Sequence, residues 1–191
     1  MKRTAGILAF GFVATVTASA QEGAPTPKAE VGMSFSSTTV FPSGGVPSFT
    51  APGGSGTFVY NFNKTFGAVA DLGAYHNSSD ANLDPTTFSY LFGPRVSWRK
   101  DRFTPYAQAL VGGVRVTSPF LVDPISGNTT AQNAFATAFG GGLDLRATDH
   151  IYLKPVEVDY MLSRVPNFWS LNNTQSNLRY SAGIVFRFGK K

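Results

Sequence analysis

Bulky apolar side chains and small or polar ones take turns along most of this chain, with a period of two. That period belongs to strands with two unlike faces, and the segments that carry it are rich in Phe, Tyr, Val, Thr and Gly. The pattern predicts eight strands, at 29–36, 56–62, 66–76, 87–98, 103–116, 133–146, 150–162 and 178–188. Residues 178–188 show it most clearly. Tyr180, Ala182, Ile184, Phe186 and Phe188 share one face, and Ser181, Gly183, Val185 and Arg187 share the other. In 133–146, Phe135, Phe139, Leu143 and Leu145 oppose Ala134, Ala136, Ala138, Asp144 and Arg146. In 87–98, Phe88, Tyr90, Phe92 and Trp98 oppose Ser89, Leu91, Gly93 and Arg95. The segment 103–116 has no clean face. Its preferred register groups Phe103, Pro105, Ala107, Ala109 and Val111 with the bulky faces and Tyr106 and Gln108 with the small ones, with a mid-strand bulge as the way this could change.

The connections between these segments alternate in length. Residues 63–65, 99–102 and 147–149 are short polar turns of hairpin type. Residues 37–55, 77–86, 117–132 and 163–177 are long and hold most of the prolines, with many Ser, Asn and Thr. In an up-and-down barrel this order puts every short turn at one end and every long loop at the other, the pattern of outer-membrane barrels. Eight strands leave an interior only wide enough for side chains. The bulky face would overfill it, whereas small residues and a few charges fit. The expected fold is therefore all-β, an eight-stranded antiparallel up-and-down transmembrane β-barrel with its bulky face to lipid. In lipid every backbone N–H and C=O needs a partner, so the first strand (Val31, Met33, Phe35) must pair with the last. Phe62, Phe66, Trp98, Phe103 and Phe188 would form an aromatic girdle near the short turns. A soluble lipocalin-like carrier is the inside-out alternative.

Composition narrows the field further. Charged residues make up 14% of the 191, against roughly 25% in an ordinary soluble domain. Few charges and many aromatics exclude intrinsic disorder. The absence of Cys excludes a disulfide scaffold, a thiolate metal site and a Cys nucleophile, and two His argue against a His-rich metal site. No cofactor is expected. The formal charge of +5 includes Lys2 and Arg3, and no basic run is longer than a pair, so nucleic acid is not an expected partner. Residues 1–20 read as a signal peptide: a basic start, an apolar run over 7–17, and Ala18-Ser19-Ala20 as the cleavage pattern. Residues 21–28 read as a short polar leader, and 29–189 as the barrel domain.

These features resemble the small eight-stranded outer-membrane barrels of the OmpA/OmpX type over nearly the whole mature chain. Ser181-x-Gly183-x-x-Phe186-x-Phe188 is similar to that family's C-terminal assembly signal, although Gly189-Lys190-Lys191 follow here. The resemblance implies a monomer in the bacterial outer membrane. Its implied partners are outer-membrane lipids, lipopolysaccharide and, during biogenesis, the barrel-assembly machinery. The chain is too short for the peptidoglycan-binding domain of full-length OmpA proteins.

Several charges fall on the inward face. Asp71, Arg95, Asp144, Arg146, Glu157, Asp159 and Arg187 are expected to pair into an internal network, since a buried charge without a partner costs several kcal/mol. Glu157 and Asp159 are expected to pair with Arg95 or Arg187. In 150–162, Tyr152, Val156, Val158 and Tyr160 are expected to face lipid, with Lys154 beside them and snorkelling. A structural or cell-surface interaction role is the first functional expectation. A narrow pore comes next, then a lipid-modifying enzyme, then the soluble carrier. An enzyme of lipid A would need His76 with Ser78, Ser79 and Asp80, and His150 lies at the opposite end. The loop aromatics Phe41, Phe49, Phe120, Phe168 and Trp169 are expected to pack on the outer rim, or else to touch a surface, glycan or partner.

Overall fold

A computed structural model describes residues 26–41, 48–76, 86–122, 129–164 and 174–190. Eight strands follow in order: β1 Pro27–Phe41, β2 Phe49–Asn61, β3 Phe66–His76, β4 Thr86–Ser97, β5 Phe103–Val122, β6 Thr129–Arg146, β7 Ile151–Arg164 and β8 Thr174–Lys190. Each pairs antiparallel with the next, and β8 pairs with β1, so the sheet closes on itself. The closing seam sets Val31 opposite Phe186 and Met33 opposite Ile184.

The short turns carry their own closures. In 62–66 the Asn63 side chain accepts from the backbone N–H of Thr65 at 2.8 Å and of Phe66 at 2.7 Å, an Asx-type turn. In 147–151 the Thr148 hydroxyl accepts from the Ile151 N–H at 3.0 Å. At the other end the strands run further than their composition suggests. Residues 49–54, 117–122, 129–132 and 174–177 continue the ladders, although Pro52-Gly53-Gly54 reads as a loop. Pro52 lies opposite Ser37 and Gly53 opposite Ser36 on the prolonged β1. Phe41, Phe49 and Phe120 therefore belong to strands, while Phe168 and Trp169 lie outside the described residues. The chain also enters the barrel earlier than expected, with Pro27 opposite Lys190. The expected signal peptide lies outside the described residues.

The bulky face is the outer one. Met33, Phe35, Phe58, Leu72, Phe88, Phe92, Phe135, Phe139, Tyr180 and Ile184 are all exposed. Phe62, Phe66, Trp98, Phe103 and Phe188 ring the outside near the short turns. In β5, Tyr106 and Gln108 point inward and Phe103 and Val111 outward. The register of β5 with β6 is continuous from Phe103 to Thr117 and shifts only beyond it, near the long-loop end.

One register expectation fails. Between Lys154 and Glu157 the pairing of β7 with β8 slips, and its pairing with β6 slips at the same level. This is a β-bulge at Pro155-Val156. Proline has no N–H to give to a ladder, so a bulge is where a strand tolerates it. The extra residue reverses the alternation on its two sides. Tyr152 and Lys154 therefore point inward, together with Glu157 and Asp159, and Lys154 is 1% exposed instead of lying on the outer surface.

The lumen is filled. Val59, Val69, Leu91, Leu110, Val114, Met161 and the three alanines Ala134, Ala136 and Ala138 form its apolar part. The small residues of β6 make room for large ones elsewhere. At Gly142 an added Cβ would stand 2.5 Å from the Tyr106 hydroxyl.

Candidate functional site

The rest of the lumen is polar, and every strand contributes to it. Near the short turns Glu30 of β1 accepts from Asn61 at 2.8 Å, from Arg187 Nε at 3.0 Å and from Arg99. Arg187 reaches onward to Asp144 of β6 at 3.0 Å and to the Thr104 hydroxyl at 3.3 Å. Its guanidinium lies 3.6 Å from the centre of the Tyr152 ring. One arginine on β8 thus ties β1, β5 and β6 together across the barrel, while a flat face of β7 supports it.

The middle layer centres on Glu157. Lys154 Nζ donates to it at 2.8 Å, the Tyr106 hydroxyl donates to the same oxygen, and Arg95 stands 4.0 Å away. Arg95 lies over the Tyr106 ring at 4.0 Å and donates to Gln108 Oε1 at 2.7 Å. Gln108 passes the chain on, donating from Nε2 to Asp159 at 2.9 Å. Arg179 of β8 then closes it. It donates to Asp159 at 2.8 Å from Nη2, to Asp71 of β3 at 2.6 Å and to the Tyr75 hydroxyl at 3.1 Å, and it is fully buried. Beyond it Ser36 bonds Ser55 at 2.9 Å and Ser181 at 2.8 Å.

Five carboxylates (Glu30, Asp71, Asp144, Glu157, Asp159) thus meet five cations (Arg95, Arg99, Lys154, Arg179, Arg187). Pairing of this kind is what keeps such groups charged away from water. Loss of one partner from a buried pair costs about 3–5 kcal/mol.

Of the seven residues expected in the network, Asp71, Arg95, Asp144, Glu157, Asp159 and Arg187 lie inside. Arg146 does not. It is exposed at the last position of β6, on the short-turn rim, and pairs with Asp149 in the adjoining turn. Arg187 partners Glu30 and Asp144 rather than Glu157 or Asp159, and the partner of Asp159 is Arg179. Glu30, Arg99, Lys154 and Arg179 are additions to the expected set, Arg99 from the short turn after β4. Glu30 and Arg179 fall on the inward parity of their strands, so alternation alone points to them. Lys154 needs the bulge.

Ser181 and Gly183 of the C-terminal pattern lie against β1, and Phe186 and Phe188 lie on the outer side of β8. His76 is exposed at the end of β3, its Nδ1 3.4 Å from the Thr86 hydroxyl. Ser78, Ser79 and Asp80 lie outside the described residues. His150 stands in the turn at the opposite end of the barrel.

Residues 7–188 match the family described as outer membrane protein beta-barrel domain. The chain belongs to that family. Among solved structures it is similar to Neisserial surface protein A (NspA), with 15% identity and a TM-score of 0.65 over 84% of this chain and 97% of that one. It is also similar to Ail, the attachment invasion locus protein of Yersinia pestis, with 15% identity and a TM-score of 0.53 over 84% and 99%. OprG from Pseudomonas aeruginosa gives 12% identity and a TM-score of 0.54 over 87% and 98%. At these identities the likeness is one of fold. No curated protein matches. Family and fold make the apolar outer surface of this outer-membrane barrel its lipid face.

Proposed function

We propose that this chain is a barrel of the bacterial outer membrane with a structural or cell-surface interaction role, and that it does not conduct solutes. The observation that carries the reading is Arg179, which bridges Asp71 on β3 and Asp159 on β7 from its place on β8. With the Arg187 bridge below it and the apolar cluster beside it, this leaves the lumen plugged with paired side chains. The long-loop ends of the strands supply the second half. Ser37, Thr39, Thr50, His76, Thr86 and Thr117 continue the ladders there with polar residues, and Phe41 is exposed at the tip of β1. That rim, where the long connections join the barrel, is the end at which a cell-surface contact would be made.

Planar-bilayer recording tests the proposal. The purified barrel is expected to give no stepwise current, and the double variant Asp71→Ala/Arg179→Ala to give sparse, small openings. Regular openings of the unaltered barrel that persist in Glu157→Gln would instead favour the pore.

A further inference from the structure

The outer surface over β1–β4 carries a groove of about 730 Å³. Its floor is Gly54 and Gly56 on β2. Met33 and Phe35 form one wall, and Leu72 and Phe88 belong to the other. Both glycines face outward, and neither is needed for packing. A Cβ added at Gly54 would find its nearest neighbour at 3.6 Å, and one at Gly56 at 3.9 Å, ordinary contact in both cases. Gly73 and Gly183 differ, since a Cβ there would press into neighbouring atoms. Glycine weakens a strand and leaves no side chain to pack. Two of them at an open position on a lipid face expose bare backbone between bulky walls, Met33 at 68% and Phe35 at 67% exposure.

The groove also has a direction. Its upper row runs Phe35, Gly54, Ala74, Phe88 and then Arg115, each opposite the next across adjacent strands. Arg115 is exposed and makes no ion pair with a described residue. The next row up brings in polar side chains, Ser37 beside Pro52, and His76 opposite Thr86. The apolar trough therefore ends at the boundary toward the long loops, against the Arg115 guanidinium and the His76 imidazole. An arginine costs little at that depth and far more at the midplane.

We infer that this groove is a binding site for one phosphate-bearing lipid of the outer leaflet, an acyl chain lying over Gly54 and Gly56 and the phosphate at Arg115 and His76. An apolar partner surface, including a second barrel, would fill the trough but leave Arg115 unanswered. The inference needs the barrel to lie in a membrane and is independent of whether its lumen conducts.

Native mass spectrometry of the detergent-solubilised barrel tests it, with lipid A, dephosphorylated lipid A and phosphatidylglycerol as probes. One lipid A is expected to be retained per barrel, in preference to both other probes. Filling the trough with Gly54→Leu/Gly56→Leu should lower retention at least roughly tenfold. Ala107→Leu, the same kind of bulk on exposed β5 outside the groove, should leave it unchanged. Arg115→Gln should abolish the preference for the phosphorylated form, and it keeps the test open should the filled variant fail to close. Equal retention by the filled and unaltered barrels overturns the inference. So does indifference to Arg115, a preference for phosphatidylglycerol, or a lipid-free dimer through this face.

Discussion

Lys154 shows how much one residue's orientation decides. It is buried, and its ammonium donates to Glu157, itself fully buried. Lys154→Met should cost about 3 kcal/mol, the low end for a broken buried pair, because Tyr106 still donates to the carboxylate. The folded fraction in vesicles against urea measures it. A lysine facing lipid would give the opposite sign, since removing a charge from the apolar band stabilises a barrel by up to about 2–4 kcal/mol. Arg146→Ala, at the exposed end of β6, should stay within about 0.5 kcal/mol. Alternation could place Asp159 inside but not Lys154. Strand parity carries over only while the ladder is unbroken, and a bulge adds a residue without leaving a mark on composition.

At the scale of elements, strand ends were legible where the turn chemistry is short and specific. Asn63 and Thr148 each close a turn by themselves, and the ends beside them fall within a residue of where the sequence puts them. The long-loop ends were not, because Pro52-Gly53-Gly54 has the composition of a loop and becomes a strand through the neighbour it pairs with. The closing seam gives a test. Gly183 lies opposite Ser34, and a Cβ there would stand 2.6 Å from the Ser34 Cα. Gly183→Val should sharply reduce the fraction that refolds in detergent, whereas Ala182→Val, pointing outward beside it, should refold like the parent. Unheated gel mobility separates the two.

For the whole molecule, the alternation of long and short connections implied the up-and-down order, and the need of every backbone group for a partner in lipid implied closure. The unaltered barrel should accordingly run faster on a gel unheated than boiled, and equal mobility would contradict a closed ring. The pairing inside the ring was not legible, since it joins residues far apart in the chain. Arg179 and Asp71 are 108 positions apart, and Arg187 and Glu30 are 157. Both arginines sit on β8, the last of the eight strands in chain order and the one that closes the seam with β1. A chain that has made seven strands therefore holds five carboxylates against Arg95, Arg99 and Lys154 alone. Such a partial product lacks both the seam and its counter-charges, so assembly should be all-or-none and slow, as high contact order dictates. A barrel truncated before β8 would leave Asp71 and Asp144 without the arginines that answer them, an electrostatic penalty on top of the open seam.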